Sequence, residues 1–343
     1  MKERNSNIEL LRIVLMIMII CLHYMNGGMG GALKYTLERS INYYLIRFLE
    51  SLFIIAVNGF VLITGFCMIN KKCVNINKII RLIMEMTIYN IIIYTVFLII
   101  GRADISIKQI IKECVPLVFN NGYWFFKIYI CLYMLIPFIN SYLIKLEKDK
   151  YKKLLLIMFL LFSVWDSIIP NKIITDNGYG IVNFIFLYCI GAYLKLHYKN
   201  NIKTRYWFIL YLIFGSITFI SLFIPVIRGN SWAYYFITNI LSAISLFNMF
   251  NSISINSKLI NKIAANTFGV FLLHLNSNFL SIEYKIARTD LFWNSNFIVI
   301  HMFVVSICIF LVCVILNTVL NKLVNGINNK LISQIRLFNI EIY

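Results

Sequence analysis

The chain has 343 residues, of which 60% are hydrophobic and only 13% are charged, and its formal net charge is +18. Soluble globular domains have roughly 25% charged residues, so this composition excludes an ordinary soluble fold and predicts a protein of the lipid bilayer. The basic residues lie in short clusters between apolar runs, which is typical of cytoplasmic loops near anionic lipid headgroups and argues against nucleic-acid binding.

The eight cysteines lie mostly inside apolar runs, and none forms a C-x-x-C pair. Structural zinc sites usually contain such closely spaced pairs, and disulfide frameworks are typical of short secreted chains. The sequence therefore predicts neither a disulfide framework nor a metal site.

Apolar segments of about 17–25 residues, the length that crosses a bilayer as a helix, recur along the chain. They predict an all-α integral membrane protein, a bundle of about ten transmembrane helices. The predicted spans are 8–26, 45–69, 79–100, 122–142, 153–170, 179–197, 206–225, 232–250, 261–282 and 297–321.

The distribution of Lys and Arg predicts how these helices are oriented. With a cytoplasmic N-terminus, the cytoplasmic segments hold about twice as many Lys and Arg residues as the outer segments, which agrees with the positive-inside rule. We expect both termini to be cytoplasmic and residues 1–343 to form a single transmembrane domain with no appended soluble domain. A cleaved signal peptide is disfavoured because Glu9 and Arg12 interrupt the first apolar run.

The first predicted helix carries an arginine near its start and a histidine near its end. At about 100° and 1.5 Å per residue, Arg12 and His23 lie within about 20° of one face and about 16 Å apart along the axis. Glu9 precedes Arg12 on the same side and is close enough to orient the guanidinium. The helix therefore presents a cation and an imidazole along one stripe at two depths.

Two interpretations of this stripe follow from the spacing. In the first, Arg12 reaches the cytoplasmic headgroups and His23 donates a hydrogen bond to a neighbouring helix. In the second, His23 transfers protons, for which an imidazole is suited near neutral pH.

The stretch "NIELLRIVLMIMIICLHY" resembles the first helix of the membrane-bound acyltransferase family 3, the O-acyltransferases of bacterial surface polysaccharides and peptidoglycan. Glu9, Arg12 and His23 match the family pattern in identity and in spacing.

Three further stretches resemble the family in the expected order. They are "VNGFVLITGF" (Val57–Phe66), "GYWFFKIYICLYMLIPFIN" (Gly122–Asn140) and "NTFGVFLLHLN" (Asn266–Asn276). Thr64 stands where the family usually has a serine, and Phe271 stands where it commonly has a tyrosine.

The resemblance implies transfer of an acyl group, usually acetyl, from cytoplasmic acyl-CoA to a hydroxyl of a cell-surface polysaccharide or other glycan outside a bacterial plasma membrane. With acetyl-CoA as the donor, His23 would act as a general base or receive the acyl group transiently as a nucleophile. Glu9 joins this catalytic set through Arg12.

The phosphates of the donor require cations on the cytoplasmic side, where the predicted topology places Arg12, Lys78 and Arg81. The pair Lys78 and Arg81 stands where the family often carries R-x-x-R, so one of the two arginines is replaced. Asn58 is expected to contribute to the same donor site.

Gly59 and Gly65 lie in the second resembling stretch. Small residues there either let helices approach closely or leave room for a pantetheine arm. The sequence leaves both readings open.

Four residues are candidates for the acceptor side, and Lys127 is the last of them. Tyr123 and Trp124 begin the fourth predicted span, where aromatic residues either form an interfacial belt or stack against a sugar ring. His274, in the ninth span, either assists catalysis, positions the sugar, or makes a structural hydrogen bond.

Lys127 lies one turn deeper in the fourth span, and a lysine inside a membrane helix requires an explanation. We assign it to the acceptor site, with Asp166 or Glu50 as its expected ionic partner. A purely structural ion pair that fixes helix packing explains it equally well.

A different class of protein would also fit these features. A transporter or flippase for a glycan lipid or polysaccharide precursor can contain buried Arg, Lys and His residues, although no inverted repeat is visible. A helper subunit without chemistry is a third reading. The sequence leaves the oligomeric state, the acceptor sugar and the envelope partners open.

Overall fold

The structure, a computed structural model, describes residues 5–27, 29–119, 121–332 and 340–341. Within these residues the protein is helical apart from one short antiparallel pair, β1 (Cys73–Val74) with β2 (Ile340–Glu341). The prediction of an all-helical fold is therefore confirmed.

The helices of the first part of the chain are α1 (Ser6–Met25), α2 (Ala32–Tyr35), α3 (Ile41–Phe53), α4 (Ala56–Met68), α5 (Ile76–Ile99), α6 (Ile107–Cys114), α7 (Pro116–Phe119) and α8 (Trp124–Leu143). Those of the second part are α9 (Lys148–Phe159), α10 (Asp166–Ile168), α11 (Ile181–Leu196), α12 (Thr204–Ser221), α13 (Ile237–Asn251), α14 (Lys258–Ala264), α15 (Thr267–His274), α16 (Ser277–Ala287) and α17 (Ile298–Ile332).

Six helical segments in the described part of the chain are long and apolar enough to cross a membrane. They are Ser6–Met25, Ile41–Met68, Ile76–Ile99, Trp124–Leu143, Thr204–Ser221 and Ile298–Asn328. A seventh apolar helix, Ile181–Leu196, is shorter. The composition and these lengths identify a membrane protein.

The ninth predicted span, 261–282, is not one helix, and that expectation is wrong. The chain forms α14, α15 and α16 instead, with breaks before Thr267 and before Ser277. The second break has a local cause, because the Asn276 side chain accepts a hydrogen bond from the backbone N–H of Asn278 and starts a new helix.

The fifth predicted span also departs from regular α-helix. After α9 the chain makes a π-helical turn at Leu160–Trp165 and then ends in α10, shortly before Pro170. The π-helical turn places the Ser163 hydroxyl where it donates to the Tyr235 carbonyl at 2.7 Å.

Side-chain amides join the helices at the end of the bundle where α1 begins, which we call the Arg12 end. Asn7 Nδ2 donates to the Phe250 carbonyl at 3.0 Å, and Asn140 Nδ2 donates to the Met68 carbonyl at 2.9 Å. The first bond joins the start of α1 to the C-terminal end of α13, and the second joins the C-terminal ends of α8 and α4.

At the opposite end, which we call the His23 end, the loop after α1 folds back onto the bundle. The backbone N–H groups of Met29 and Gly30 donate to the His23 carbonyl at 2.9 and 3.1 Å. Trp293 Nε1 donates to the Gly30 carbonyl at 2.9 Å, and Asn42 Nδ2 donates to the Trp293 carbonyl at 3.1 Å. The loop is therefore fixed beside the segment that precedes α17.

Helices α4 and α11 approach each other through a pair of glycines. A Cβ atom on Gly65 would lie 2.2 Å from the Tyr188 carbonyl oxygen, and one on Gly191 would lie 2.2 Å from that of Leu62. Of the two readings of Gly65, close helix packing describes what this residue does.

Candidate active site

His23 lies in the last turn of α1 and contacts a second histidine from a distant part of the sequence. His23 Nδ1 and His274 Nε2 are 2.8 Å apart, a hydrogen-bond distance. The two rings stack, with centroids 4.8 Å apart and planes inclined by 21°. His23 is thus held by His274 at the end of α15.

His274 in turn binds a carboxylate. His274 Nδ1 lies 2.8 Å from Glu283 Oε2 and 3.1 Å from Glu283 Oε1. His274 is fully buried and Glu283 is 6% exposed, so this pair is shielded from solvent by the protein. The break between α15 and α16 makes the contact possible, because it lets α16 fold back over the histidine.

Glu283, His274 and His23 therefore form one chain of hydrogen bonds, which we call the Glu–His–His relay. A carboxylate that fixes the tautomer and orientation of an imidazole is the arrangement by which enzymes prepare a histidine for proton transfer. The sequence predicts His274 in the acceptor site, but His274 does not line the cavity described next and contacts His23 instead.

A cavity of about 780 Å³ runs along the face of α1 that carries Arg12 and His23. Both residues line it, as the helical spacing predicts. Because the two positions are about 16 Å apart along a helix axis, the cavity joins the Arg12 end to the His23 end.

At the Arg12 end the cavity wall carries two cations, Arg12 and Lys78. Arg12 Nη1 lies 3.8 Å from Glu9 Oε2, the contact expected from their spacing. Lys78 lies in the first turn of α5, where its backbone N–H binds the capping side chain of Asn75 at 3.0 Å. Its ammonium lies 5.3 Å from the centroid of the Tyr133 ring.

Two other residues assigned to the donor site do not line this cavity. Arg81 is exposed on α5. Asn58 is fully buried, and its Nδ2 donates to the Tyr234 carbonyl at 2.8 Å, so its amide joins α4 to the segment before α13. Buried amides of this kind are held by backbone groups, which is the structural explanation for Asn58.

At the His23 end the cavity wall is aromatic. Trp124 packs against Tyr179, with ring centroids 4.5 Å apart, and against Tyr234, with centroids 6.0 Å apart. All three residues line the cavity, together with Trp232. Trp124, a residue that the sequence predicts on the acceptor side, thus lines the cavity at the His23 end.

Tyr123 does not share this position. Its side chain is fully buried and is absent from the cavity wall, and its hydroxyl donates to the Leu272 carbonyl at 3.0 Å. The tyrosine at the start of α8 therefore fixes α15, and stacking against a sugar does not describe it.

The expected ionic partners of Lys127 are also wrong. The Asp166 carboxylate accepts the backbone N–H groups of Ile173 and Ile174 at 2.6 and 2.8 Å. Among the residues that the structure describes, no ion pair joins Lys127 to Asp166 or to Glu50, and Lys127 does not line the cavity.

Glu283, the acid of the relay, is not among the site residues predicted from the sequence. The signal was present, since Glu283 is an isolated acid in the apolar stretch "NFLSIEYKIA", directly after the predicted ninth span. An ionisable residue in such a segment is a functional candidate by default. A continuous helix over 261–282 would place Glu283 beyond the predicted span, whereas the break before Ser277 places it in α16, beside His274.

Comparisons with curated proteins and with solved structures found no match to the chain. A family model described as an acyltransferase domain matches residues 5–320, which include Arg12, Lys78 and all members of the Glu–His–His relay. The chain therefore belongs to acyltransferase family 3 and is a membrane acyltransferase.

Proposed function

We propose that this protein moves an acyl group, usually acetyl, from cytoplasmic acetyl-CoA to a hydroxyl of a cell-surface polysaccharide. The observation that carries the proposal is the single cavity that Arg12 and His23 both line. It offers cations to a donor at one end and a histidine to an acceptor hydroxyl near the other. The family membership favours acyl transfer over the transport function that the sequence also allowed.

The donor side of the cavity fits a phosphorylated thioester in its chemistry. Arg12 and Lys78 line the wall at the Arg12 end, and cations of this kind bind phosphate oxygens. Glu9 limits the movement of the guanidinium through its 3.8 Å contact. Further along, the wall is largely apolar, which suits an extended pantetheine arm.

The relay gives His23 a defined role. As a carboxylate, Glu283 only accepts hydrogen bonds, so His274 Nδ1 carries the proton between them. His274 Nε2 is then the acceptor, and the proton of the 2.8 Å bond belongs to His23 Nδ1. This leaves a lone pair on His23 Nε2, the nitrogen that takes the proton of the acceptor hydroxyl.

In the direct route the acceptor oxygen bonds to the thioester carbonyl carbon and the carbon–sulfur bond breaks. The proton that His23 Nε2 takes from the hydroxyl then passes to the departing thiolate. In the covalent route the same lone pair attacks the thioester carbonyl carbon first, the carbon–sulfur bond breaks as the thiolate leaves, and an acyl-imidazole forms on His23. The hydroxyl oxygen then bonds to that carbon, the carbon–nitrogen bond breaks, and the hydroxyl proton passes to the thiolate. Mass spectrometry of protein quenched during turnover distinguishes the routes, because only the second leaves acyl mass on His23.

We propose that the chain crosses the membrane of a bacterial cell ten times and that both of its termini lie in the cytoplasm. The shorter and interrupted helices α9–α10, α11, α13 and α14–α16 supply the crossings beyond the six long segments. The side-chain hydrogen bonds of Asn7 and Asn140 support this arrangement. They join residues that lie at the same membrane face if the chain crosses the membrane at each of the ten segments.

The experiment that tests the function is NMR of surface polysaccharide from cells that produce the protein and from cells that lack it. We expect O-acetyl signals only with the wild-type protein and their loss with His23→Ala, at equal amounts of protein in the membrane. His197→Gln, at the end of α11 and outside the cavity, is the matched control and should retain the signals. Identical spectra with and without the protein would contradict the proposal.

A further inference from the structure

A second buried acid, Glu50, lies on the wall of the cavity and belongs to no part of the relay. It comes from α3 and is only 4% exposed. Its Oε2 atom is buried and has no hydrogen-bond partner in the described part of the chain. A buried carboxyl oxygen without a partner is costly, so a ligand hydrogen bond is the simplest reason for its position.

The neighbouring cation on the same helix does not satisfy this carboxyl group. Arg47 Nη2 donates to the Leu33 carbonyl at 3.1 Å, and its guanidinium lies 3.4 Å from the centroid of the Tyr43 ring. No ion pair of Glu50 occurs among the described residues. The carboxyl group is thus available to a molecule in the cavity.

Aromatic rings surround the space that Glu50 faces. Tyr179 and Tyr234 line the same cavity as Glu50, and the centroids of their rings are 4.8 Å apart. Trp124 lies nearly parallel to Tyr234, with the planes inclined by 24°. His23 lines the same cavity, so these residues share one space with the proposed base.

This combination of side chains indicates the chemistry of the ligand. Flat aromatic faces pack well against the C–H face of a pyranose ring, and a carboxyl group binds hydroxyls, which orient the ring. Trp124, Tyr179 and Tyr234 supply such faces in one cavity.

We infer that Glu50, Trp124, Tyr179 and Tyr234 form the acceptor subsite, in which a pyranose unit stacks on the aromatic rings and its hydroxyls bind the Glu50 carboxyl group. Glu50 is a positioning residue there, since it sets which hydroxyl faces His23 and takes no part in proton transfer. The inference rests on the proposed function, because it assigns the acceptor of that same reaction.

The test compares Glu50→Ala and Glu50→Gln with wild type in membrane vesicles that contain the full chain. The probe is de-O-acylated surface polysaccharide from the producing cells, with labelled acetyl-CoA as the donor. We expect Glu50→Ala to raise the KM for polysaccharide about tenfold or more, the loss typical of a buried hydrogen bond to a charged group, and to leave the half-saturating acetyl-CoA concentration unchanged. Glu50→Gln should raise the KM less, because its amide still binds hydroxyls.

The matched control is Glu113→Gln. Glu113 is also a buried acid with an unpartnered Oε2, but it lies on α6 outside the cavity and its other oxygen binds Gln109. This variant should keep the wild-type KM for polysaccharide.

Three results would overturn the assignment of Glu50. The first is an unchanged KM in Glu50→Ala, and the second is an equal rise in both substrate constants, which indicates a general effect on the fold. The third is an equally severe loss in Glu50→Gln and Glu50→Ala, which indicates a cationic ligand held by charge and stacking. A wild-type protein that transfers no label to polysaccharide contradicts the proposed function itself, so the two failures are distinguishable.

Discussion

A histidine inside a membrane helix needs a polar partner, because lipid offers none. In this protein the partner of His23 is His274, and the partner of His274 is Glu283, at distances of 2.8 Å for both bonds. This chain of hydrogen bonds ends at His23, which lines the cavity. At the scale of residues, the proposed function uses this arrangement to prepare one nitrogen of His23 for proton transfer.

Glu283→Gln tests this order of bonds. The amide can donate to His274 Nδ1 and so favours the wrong tautomer, which leaves His23 without a free lone pair. We expect the rate of acyl transfer to fall about 10²–10⁴-fold, with little change in the half-saturating acetyl-CoA concentration. The measurement is steady-state transfer of labelled acetyl groups in membranes that contain equal amounts of each variant.

The control for this comparison is Glu147→Gln, a solvent-exposed acid that is paired with Lys150 and does not line the cavity. It should keep the wild-type rate. A Glu283→Gln protein as fast as wild type would show that the carboxylate does not orient His274.

The sequence predicts the relative positions of those site residues that lie on the same helix. Arg12 and His23 share a face of one helix, so helical periodicity suffices to place them together. Glu50 reaches the site through the packing of α3 on α1, and Glu283 reaches it through the packing of α16 on α15, and no periodicity encodes such contacts. The hydrogen bonds of Tyr123 and Asn58 are unpredictable from sequence for the same reason, since their backbone partners lie far away along the chain.

At the scale of elements, broken and closely packed helices build the site. The three short helices α14, α15 and α16 replace a continuous span, and the turn at Asn276 returns Glu283 to His274. Hydropathy predicts where apolar chain lies, but it does not detect a break whose polar groups bind other protein groups. The long helices were therefore predictable and this broken segment was not.

The approach of α4 to α11 gives a prediction at this scale. Gly65→Ala adds a Cβ atom that would lie 2.2 Å from the Tyr188 carbonyl oxygen, so the two helices must separate. We expect a loss of about 1–3 kcal/mol of stability, seen as a lower midpoint of thermal unfolding in detergent.

Gly326→Ala is the control, because a Cβ atom on Gly326 in α17 meets nothing within 4 Å. It measures the gain in helix propensity alone, about 1 kcal/mol at most. If Gly65→Ala unfolds at or above the temperature of Gly326→Ala, close packing at Gly65 is not required.

At the scale of the whole molecule, one cavity joins two ends of the bundle that we place on opposite membrane faces. Labelling with a membrane-impermeant maleimide tests that placement in a variant whose eight cysteines are replaced by serine. A cysteine introduced at Leu291, exposed at the His23 end, should react in intact cells. One introduced at Lys150, exposed at the start of α9, should react only after the membrane is opened. The reverse pattern would invert the proposed direction of transfer.

The most direct measurement is acetyl transfer from labelled acetyl-CoA to de-O-acylated surface polysaccharide by the purified protein, with acetyl-CoA binding recorded on the same samples. The account predicts that wild-type protein labels the polysaccharide, whereas His23→Ala binds acetyl-CoA normally and transfers at least about 100-fold more slowly. A His23→Ala protein that transfers at the wild-type rate would contradict the account.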